Sequence, residues 1–102
     1  MTDKPLPLAE GLFYDRAKLL IMVNLMSAKS ALSFLELTEA TQLTKGNLSS
    51  HLQKLELQKL VKITKEFVDK KPLTTIEVTS RGKKAFKEHL DEMQNLIKRT
   101  KF

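Results

Sequence analysis

The fold of this chain is decided by the stretch Thr44-Lys-Gly-Asn-Leu-Ser-Ser-His-Leu-Gln-Lys-Leu-Glu-Leu-Gln-Lys59. At 100° per residue Leu48, Leu52 and Leu55 fall within one narrow sector, so a helix here buries a stripe of leucines. The opposite side carries small, polar and basic side chains and almost no acid. Amide, hydroxyl and ammonium groups of this kind meet base edges and phosphates in complexes with DNA. The stretch therefore predicts a DNA recognition helix.

Size and composition restrict the class of protein. The 102 residues form one small domain with a single core and leave no room for a separate catalytic domain. The net charge of +6 fits a polyanionic partner or a general solubility charge. There is no cysteine, and the first residues lack the basic start and apolar core expected of a signal peptide. The near-apolar run from Leu19 to Met26 is far shorter than the roughly 20 residues that span a bilayer. We expect a soluble, cytoplasmic protein that makes no membrane contact.

Two segments precede the central stretch at the start of the chain. Residues 1–11 hold two of the three prolines and are predicted to be an irregular N-terminal arm, with the folded domain at 12–102. The segment from Leu12 to about Ser27 is helix-like and apolar on nearly every side, which is typical of a helix covered from more than one direction. It is either a core helix of a monomer or a helix shared between its own core and a partner subunit.

A brace for the recognition helix is predicted just before it. Ser33-Phe-Leu-Glu36 matches the Ser-x-x-Glu capping box, so a short helix should run from Phe34 to about Ala40. Thr44 is a good N-cap for the next helix after a turn of a few residues. Two helices joined by a tight turn are what a helix-turn-helix consists of. The alternative is an ordinary helix pair, which any small α domain can contain.

The segment after the recognition helix favours a wing. Residues 61–67 and 74–78 alternate in polarity and are rich in β-branched side chains, which predicts two strands joined by Val68-Asp-Lys-Lys-Pro72. Pro72 suits a strand edge or a loop, because it has no amide hydrogen. A basic hairpin directly after a helix-turn-helix is the wing of a winged helix. Lys70 and Lys71 at its tip are expected to reach phosphates or a minor groove, the alternative being a solvated turn.

The last helix carries an apolar seam. Thr79 caps a helix from Ser80 to about Lys98, in which apolar residues advance by 4, 3 and 4 as in a coiled coil. The seam packs either on the first helix of the same chain or on helices of a partner, and the second is favoured because the compact core is mostly complete without it. Four cations between residues 81 and 87 oppose the helix dipole, which is easier to understand if phosphates lie nearby.

With the segments Leu43–Leu55, Leu60-Val61 and Thr74–Gly82, the chain resembles the winged-helix transcriptional regulators of the MarR and ArsR type. The resemblance covers about residues 12–98. It implies a mainly α fold with a small β-hairpin (α+β), in the order α-α-α-β-β-α, whose N- and C-terminal helices form a dimer interface. It also implies a homodimer that places two recognition helices in successive major grooves of a pseudo-palindromic double-stranded DNA, with the wings beside them.

The resemblance and the helix faces together assign two sets of residues. The DNA-binding set lies on the outer helix face, the hairpin and the start of the last helix: Lys45, Gly46, Asn47, Ser49, Ser50, Gln53, Lys54, Lys65, Lys70, Lys71, Arg81. The dimer-interface set lies on the first and last helices: Leu19, Met22, Val23, Met26, Phe86, Leu90, Met93, Ile97. These families usually place a glycine where Lys59 stands, so this lysine either adopts a left-handed conformation or ends the helix differently.

Other functions fit the sequence less well. His51 and His89 lie far apart in the chain and no glycine-rich phosphate loop is present, so the chain is not predicted to be an enzyme. The acids around His89 have no second histidine nearby, and no metal or other cofactor is predicted. A small-molecule effector of unknown identity remains open. The serious alternative is a winged-helix protein-protein interaction module without DNA binding, which we expect to present acidic or apolar rather than polar and basic faces. The sequence also leaves open RNA as the nucleic-acid partner.

Overall fold

A computed structural model describes residues 15–100, which form four helices and a small antiparallel sheet. In chain order the elements are α1 (Arg16–Ser27), β1 (Leu32–Ser33), α2 (Phe34–Thr41), α3 (Lys45–Leu57), β2 (Val61–Val68), β3 (Lys71–Val78) and α4 (Ser80–Arg99). The sheet has the order β1-β3-β2. This confirms the predicted architecture and adds the two-residue strand β1. The predicted arm and the first residues of the predicted first helix, 12–14, lie outside the described residues.

One core joins the helices to the sheet. Leu48, Leu52 and Leu55 are all buried, as the spacing of the α3 stripe predicts. They pack in a single cluster with buried side chains from every other helix and from the sheet, namely Ile21, Met22, Leu25, Leu37, Leu60, Val61, Ile76 and Phe86. Each such side chain stabilises the fold by about 1.5–3 kcal/mol relative to leaving it exposed. The stripe therefore fixes α3 against the core with its polar side toward solvent.

The brace forms as its capping box predicts. The Ser33 hydroxyl accepts a hydrogen bond from the Glu36 amide at 3.0 Å, and the Glu36 carboxylate accepts one from the Ser33 amide at 2.9 Å. The hydrogen bonds from Ser33 hold the pKa of Glu36 below its ordinary value. α2 ends at Thr41 and is C-capped by Gln42, whose φ of 60° is left-handed, and Thr44 then caps α3. This short turn sets the angle between α2 and α3.

Lys59 adopts the left-handed conformation, with φ of 61°. Its amide donates to the Glu56 carbonyl at 2.9 Å, and the Leu60 amide donates to the Leu55 carbonyl at 3.0 Å. These two bonds are those of a Schellman motif, in which glycine usually occupies the left-handed position. A lysine there costs roughly 1 kcal/mol or more in backbone strain. Of the two alternatives for the exit of α3, the structure therefore adopts the left-handed lysine.

The start of α4 closes over this exit. The Thr79 hydroxyl lies 2.7 Å from the Lys59 carbonyl and 3.1 Å from the Leu60 carbonyl, and it accepts a hydrogen bond from the Gly82 amide at 2.9 Å. A Cβ on Gly82 would lie only 2.1 Å from the Leu60 carbonyl oxygen, so no larger residue fits without a shift of backbone. The Arg81 Nε donates to the Gln58 carbonyl at 3.1 Å. We name this contact between residues 58–60 and 79–82 the α3–α4 junction.

The hairpin is tighter than predicted. β2 and β3 pair from Val61 with Val78 to Val68 with Lys71, which leaves only Asp69 and Lys70 in the turn. Their φ angles of 51° and 65° have the signs of a type I′ turn, the turn that matches the twist of paired strands. The predicted connection of five residues was therefore too long. Lys71 belongs to β3 and not to the loop at the tip, because the primed turn needs only two residues.

Pro72 sits inside β3, yet it breaks no hydrogen bond of the ladder. Pairs in an antiparallel ladder alternate, and the pair that flanks a two-residue turn is the hydrogen-bonded one. Phe67 and Pro72 are the next pair and hence a pair without hydrogen bonds. On its other side β3 meets β1 only at Thr75 and Ile76, so Pro72 lies beyond the end of β1. A proline is tolerated here because its missing amide hydrogen is not needed.

Candidate nucleic-acid interface

The outer face of α3 is exposed over its whole length. The leucine stripe turns the polar side chains away from the core, and only one member of the predicted helix set, Ser49, is half-buried. No acid occurs between residues 45 and 55. The fully exposed members of the predicted set on this helix are Lys45, Gly46, Asn47, Ser50, Gln53 and Lys54. This surface offers hydrogen-bond donors and two cations, which suits an anionic, hydrogen-bonding partner.

The first turn of α3 is open to close approach. The Thr44 hydroxyl accepts a hydrogen bond from the Asn47 amide at 3.1 Å. The amides of Lys45 and Gly46 belong to the first turn, whose amides have no carbonyl acceptor within the helix. A Cβ on Gly46 would meet nothing within 4 Å, so packing within the chain does not require this glycine. Glycine at a helical position costs about 1 kcal/mol relative to alanine. Close approach of a ligand to this turn would explain why position 46 is a glycine. The helix N-terminus favours an anionic group in such a ligand.

A groove of about 510 Å³ separates α3 from the hairpin. Gln53 lies on its helix side and Lys65 on its strand side, so the structure brings these two predicted residues together. Glu56 also lines the groove, and its acid opposes phosphate binding at this point. Sequence reasoning missed Glu56, although its position three residues after Gln53 places it on the same side of the helix. The lining residues are Phe34, Ser49, Leu52, Gln53, Glu56, Ile63, Lys65 and Thr74.

The three predicted lysines of the hairpin do not share one face. Lys65 faces the groove, Lys70 lies in the turn, and Lys71 pairs with Val68. Because successive residues of a strand point to opposite faces, Val68 and Lys71 lie on the face that Lys65 does not occupy. All three lysines are exposed. The hairpin therefore presents cations on both faces and at its tip, and only Lys65 lies beside α3.

Arg81 has a structural contact that the sequence did not suggest. Its Nε donates to the Gln58 carbonyl across the α3–α4 junction, although the residue remains exposed. A cation at the end of a helix also interacts favourably with the helix dipole. Arg81 therefore stabilises the exit of α3, and its assignment to DNA stays a prediction.

The predicted dimer-interface residues fall into two groups. Met22 and Phe86 are 0% and 2% exposed within the single chain, so both belong to its own core. Their assignment to a dimer interface stays a prediction. The others keep exposed or half-exposed surface: Leu19, Val23, Met26, Leu90, Met93 and Ile97.

His89 marks the point where α4 leaves the core. It is buried against Phe86, with ring centroids 6.0 Å apart. Burial lowers the pKa of His89, and the nearby charge of Glu92 opposes this in part. Within residues 15–100, no three histidine or acidic side chains gather in a way that would hold a metal ion. In the same range no helix combines the length and the apolar character that crossing a membrane requires.

Comparison with known proteins gives a family match over most of the chain. The family model described as "Winged helix DNA-binding domain" matches residues 17–97. An uncharacterised protein from Methanocaldococcus jannaschii is 33% identical over 81 residues, which cover 76% of this chain and 88% of that protein.

Solved structures match as well. A transcriptional regulator homologue from Pyrococcus horikoshii has a TM-score of 0.81 and 30% identity, with 88% of each chain covered. A MarR family regulator from Silicibacter pomeroyi has a TM-score of 0.65 and 21% identity, covering 91% of this chain and 60% of that one. MepR of S. aureus in complex with DNA has a TM-score of 0.62 and 21% identity, covering 88% of this chain and 78% of that one. The last two show the fold alone. The family match and the Pyrococcus horikoshii regulator homologue confirm the winged-helix part of the predicted resemblance.

Proposed function

Because the chain belongs to the winged helix DNA-binding domain family, we propose that it is a homodimeric transcriptional regulator that binds double-stranded DNA sequence-specifically. α3 enters the major groove, and the wing formed by β2 and β3 contacts the backbone or the minor groove. The observation that carries this proposal is the outer face of α3, which is exposed, polar and free of acid from residue 45 to residue 55. Such a face suits base edges and phosphates, whereas a docking face for a protein usually has an apolar centre.

Individual residues of α3 take different tasks in this proposal. The side-chain amides of Asn47 and Gln53 can each donate and accept, which is the pattern that reads adenine in the major groove. Lys45 and Lys54 supply charge for phosphates on either side and fix the register of the helix. The open first turn at Gly46 lets the backbone amides approach a phosphate.

Dimer formation is supported by apolar surface on α1 and α4. Val23 is 43% exposed on α1, and Leu90 and Ile97 are 42% and 58% exposed on α4. Among the described residues of α4 the buried ones are Gly82, Phe86 and His89, so the apolar seam continues for two turns beyond the core. A second copy placed by two-fold symmetry would cover these side chains and position two α3 helices for two half-sites.

The proposal is tested by selecting duplexes from a library with 20 randomised base pairs at near-physiological salt. We expect a pseudo-palindrome whose half-sites are roughly 10 base pairs, or one helical turn, apart. Enrichment of a single site without a repeat would contradict the dimer and keep the DNA contact. No enrichment over the starting library would contradict the whole proposal. A protein-protein interaction module should give this last result. An RNA-binding protein is recognised by a competition, in which single-stranded RNA displaces it from the selected duplex.

A further inference from the structure

The hairpin has one face that continues from the core to the tip. Directly paired residues of an antiparallel ladder point to the same face, and successive pairs alternate between faces. Val61 and Ile76 are buried on this face, and Ile63 packs against the core. We name it the groove face, because Ile63, Lys65 and Thr74 line the groove beside α3. Its four pairs are Val61 with Val78, Ile63 with Ile76, Lys65 with Thr74, and Phe67 with Pro72.

The last pair of the groove face is apolar and lies outside the core. The Phe67 side chain is 77% exposed, and Pro72 is exposed beside it. Phe67 lies four positions after Ile63, a distance of roughly 13 Å along an extended strand. Phenylalanine is among the residue types most often buried, and here it contributes little to the core of its own chain. This exposure has no explanation within the single chain.

Charge is distributed unequally between the two faces of the hairpin. Lys65 is next to Phe67 on the groove face, and no acid occurs among the four pairs of that face. Both acids of the two strands, Glu66 and Glu77, lie on the opposite face. The groove face therefore joins an exposed aromatic ring to a cation and leads directly to the polar side of α3. A second copy of this chain, with its net charge of +6, is a poor occupant for such a surface, whereas a polyanion is a good one.

We propose that Phe67, backed by Pro72, is an apolar wedge that enters the DNA minor groove next to the major groove occupied by α3. Apolar side chains inserted between base steps partly unstack them and bend the duplex. The two-residue turn makes the tip of the hairpin narrow. Lys65, two residues before the ring on the same face, and Lys70, in the turn, supply cations for the flanking phosphates. This inference rests on the proposed function and adds to it a way of reading DNA deformability.

The wedge predicts a preference at base pairs that α3 does not contact. Pyrimidine-purine steps such as TA and CA unstack most easily, so they should be enriched at a fixed distance from each half-site. The preference would concern the flexibility of the step and not its hydrogen-bond pattern. It would therefore appear in selected duplexes as a choice among flexible steps and not as one conserved base.

The test compares the wild-type protein with Phe67→Ala and with the matched variant Val68→Ala. Val68 is the next residue, is 46% exposed and lies on the opposite face, so it controls for loss of apolar area at the wing. Each protein is used to select from the 20-base-pair random library. Bending of the duplex that the wild-type enriches most is then measured by energy transfer between its ends. Because both side chains are exposed, both variants should keep the wild-type circular dichroism and denaturation midpoint.

We expect Phe67→Ala to bind that duplex roughly fivefold more weakly, to bend it less and to lose the preference for flexible steps. Its salt dependence should be unchanged, because no charge is removed. Val68→Ala should bind within about twofold of the wild-type and bend the duplex equally. Wild-type bending and step preference in Phe67→Ala would overturn the wedge and leave the proposed function standing. If Phe67→Ala without DNA sediments differently from the wild-type, Phe67 belongs to a contact between copies and the wedge is overturned. If the wild-type selects no duplex, both the wedge and the proposed function are overturned.

Discussion

The two halves of α4 differ in what holds them. The first turn is fixed by the Thr79 cap, by the Arg81 hydrogen bond and by the contact of Gly82 with the Leu60 carbonyl. After His89 the described helix has no buried residue, and Leu90 and Ile97 of its apolar seam are exposed. The first half is determined by its own chain, while the second half lacks a cover. One continuous helix is therefore held by its own chain at one end and leaves apolar surface at the other, where we propose that a second copy binds.

Gly82→Ala tests whether the α3–α4 junction fixes the first half of α4, and it has the largest expected effect. A Cβ placed 2.1 Å from a backbone oxygen forces α4 away from the exit of α3, which should cost about 3 kcal/mol of unfolding free energy. Urea unfolding followed by circular dichroism measures the loss. The matched variant Gly46→Ala meets nothing within 4 Å and should instead stabilise the protein by about 0.5–1 kcal/mol. Equal stability of both variants would show that the α3–α4 junction does not hold the helix.

The second half of α4 is tested with Leu90→Asp combined with Ile97→Asp. Both side chains are exposed in the single chain, so charges there should leave the monomer folded. If this seam joins two copies, buried unpaired carboxylates should weaken the dimer roughly 100-fold or more, with monomers seen in sedimentation. Leu57→Asp is the control, because Leu57 is 83% exposed at the end of α3. Persistence of a dimer in the double variant would remove α4 from the interface.

The fold could largely be predicted where its causes are local. Ser33, Thr44 and Thr79 cap the helices that they were predicted to cap, because a cap needs only the next three residues. The leucine stripe of α3 gives one burial pattern that its periodicity determines. β1 was missed because it consists of Leu32 and Ser33 and exists only by pairing with distant Ile76 and Thr75.

The rest of the site depends on contacts between distant residues. The turn length was wrong because Asp69-Lys70 lacks the glycine that marks a type I′ turn, although both residues adopt its left-handed conformation. The bond from Arg81 to Gln58 and the clash that excludes a side chain at Gly82 arise only when α4 meets α3. Lys59 could be identified as unusual from its position, but the sequence left open which of two conformations it takes, and the Schellman bonds to Glu56 and Leu55 show that it is the left-handed one.

Substitutions at the tip of the wing are expected to change DNA binding less than the substitutions in α4 change stability and assembly. Replacing Lys70 by Gly and Lys71 by Ala should reduce the salt slope of DNA binding by about 0.9 for each phosphate that is no longer neutralised. Glycine at position 70 also relieves the left-handed φ of 65°, so the turn itself should be kept. Binding is measured by fluorescence anisotropy at several salt concentrations, with Lys29→Ala, before β1, as the control. An unchanged slope would exclude the wing tip from the residues that neutralise phosphates.

The smallest expected effect concerns His89, where the two halves of α4 meet. Burial lowers its folded pKa below the ordinary value of 6.5, so the unfolded state binds more protons in the interval between the two pKa values. Stability is therefore present above about pH 6.5 and is lost as the pH falls toward the lowered value. The stabilities at pH 7.5 and pH 5.5, measured in urea, should differ in the wild-type and much less in His89→Gln. His51→Gln is the matched control, and loss of the difference there would move the effect to α3.

In the proposed function the outer face of α3 reads bases, and Gln53→Ala removes one of the two side-chain amides that would do so. Affinities of the wild-type and of this variant are measured for every single-base-pair change in the duplex that the wild-type enriches most. We predict that the variant loses roughly 1–3 kcal/mol of discrimination at one position in each half-site and keeps the preferences elsewhere. A uniform loss across all duplexes, with every base preference unchanged, would contradict the claim and reduce α3 to a contact with the DNA backbone.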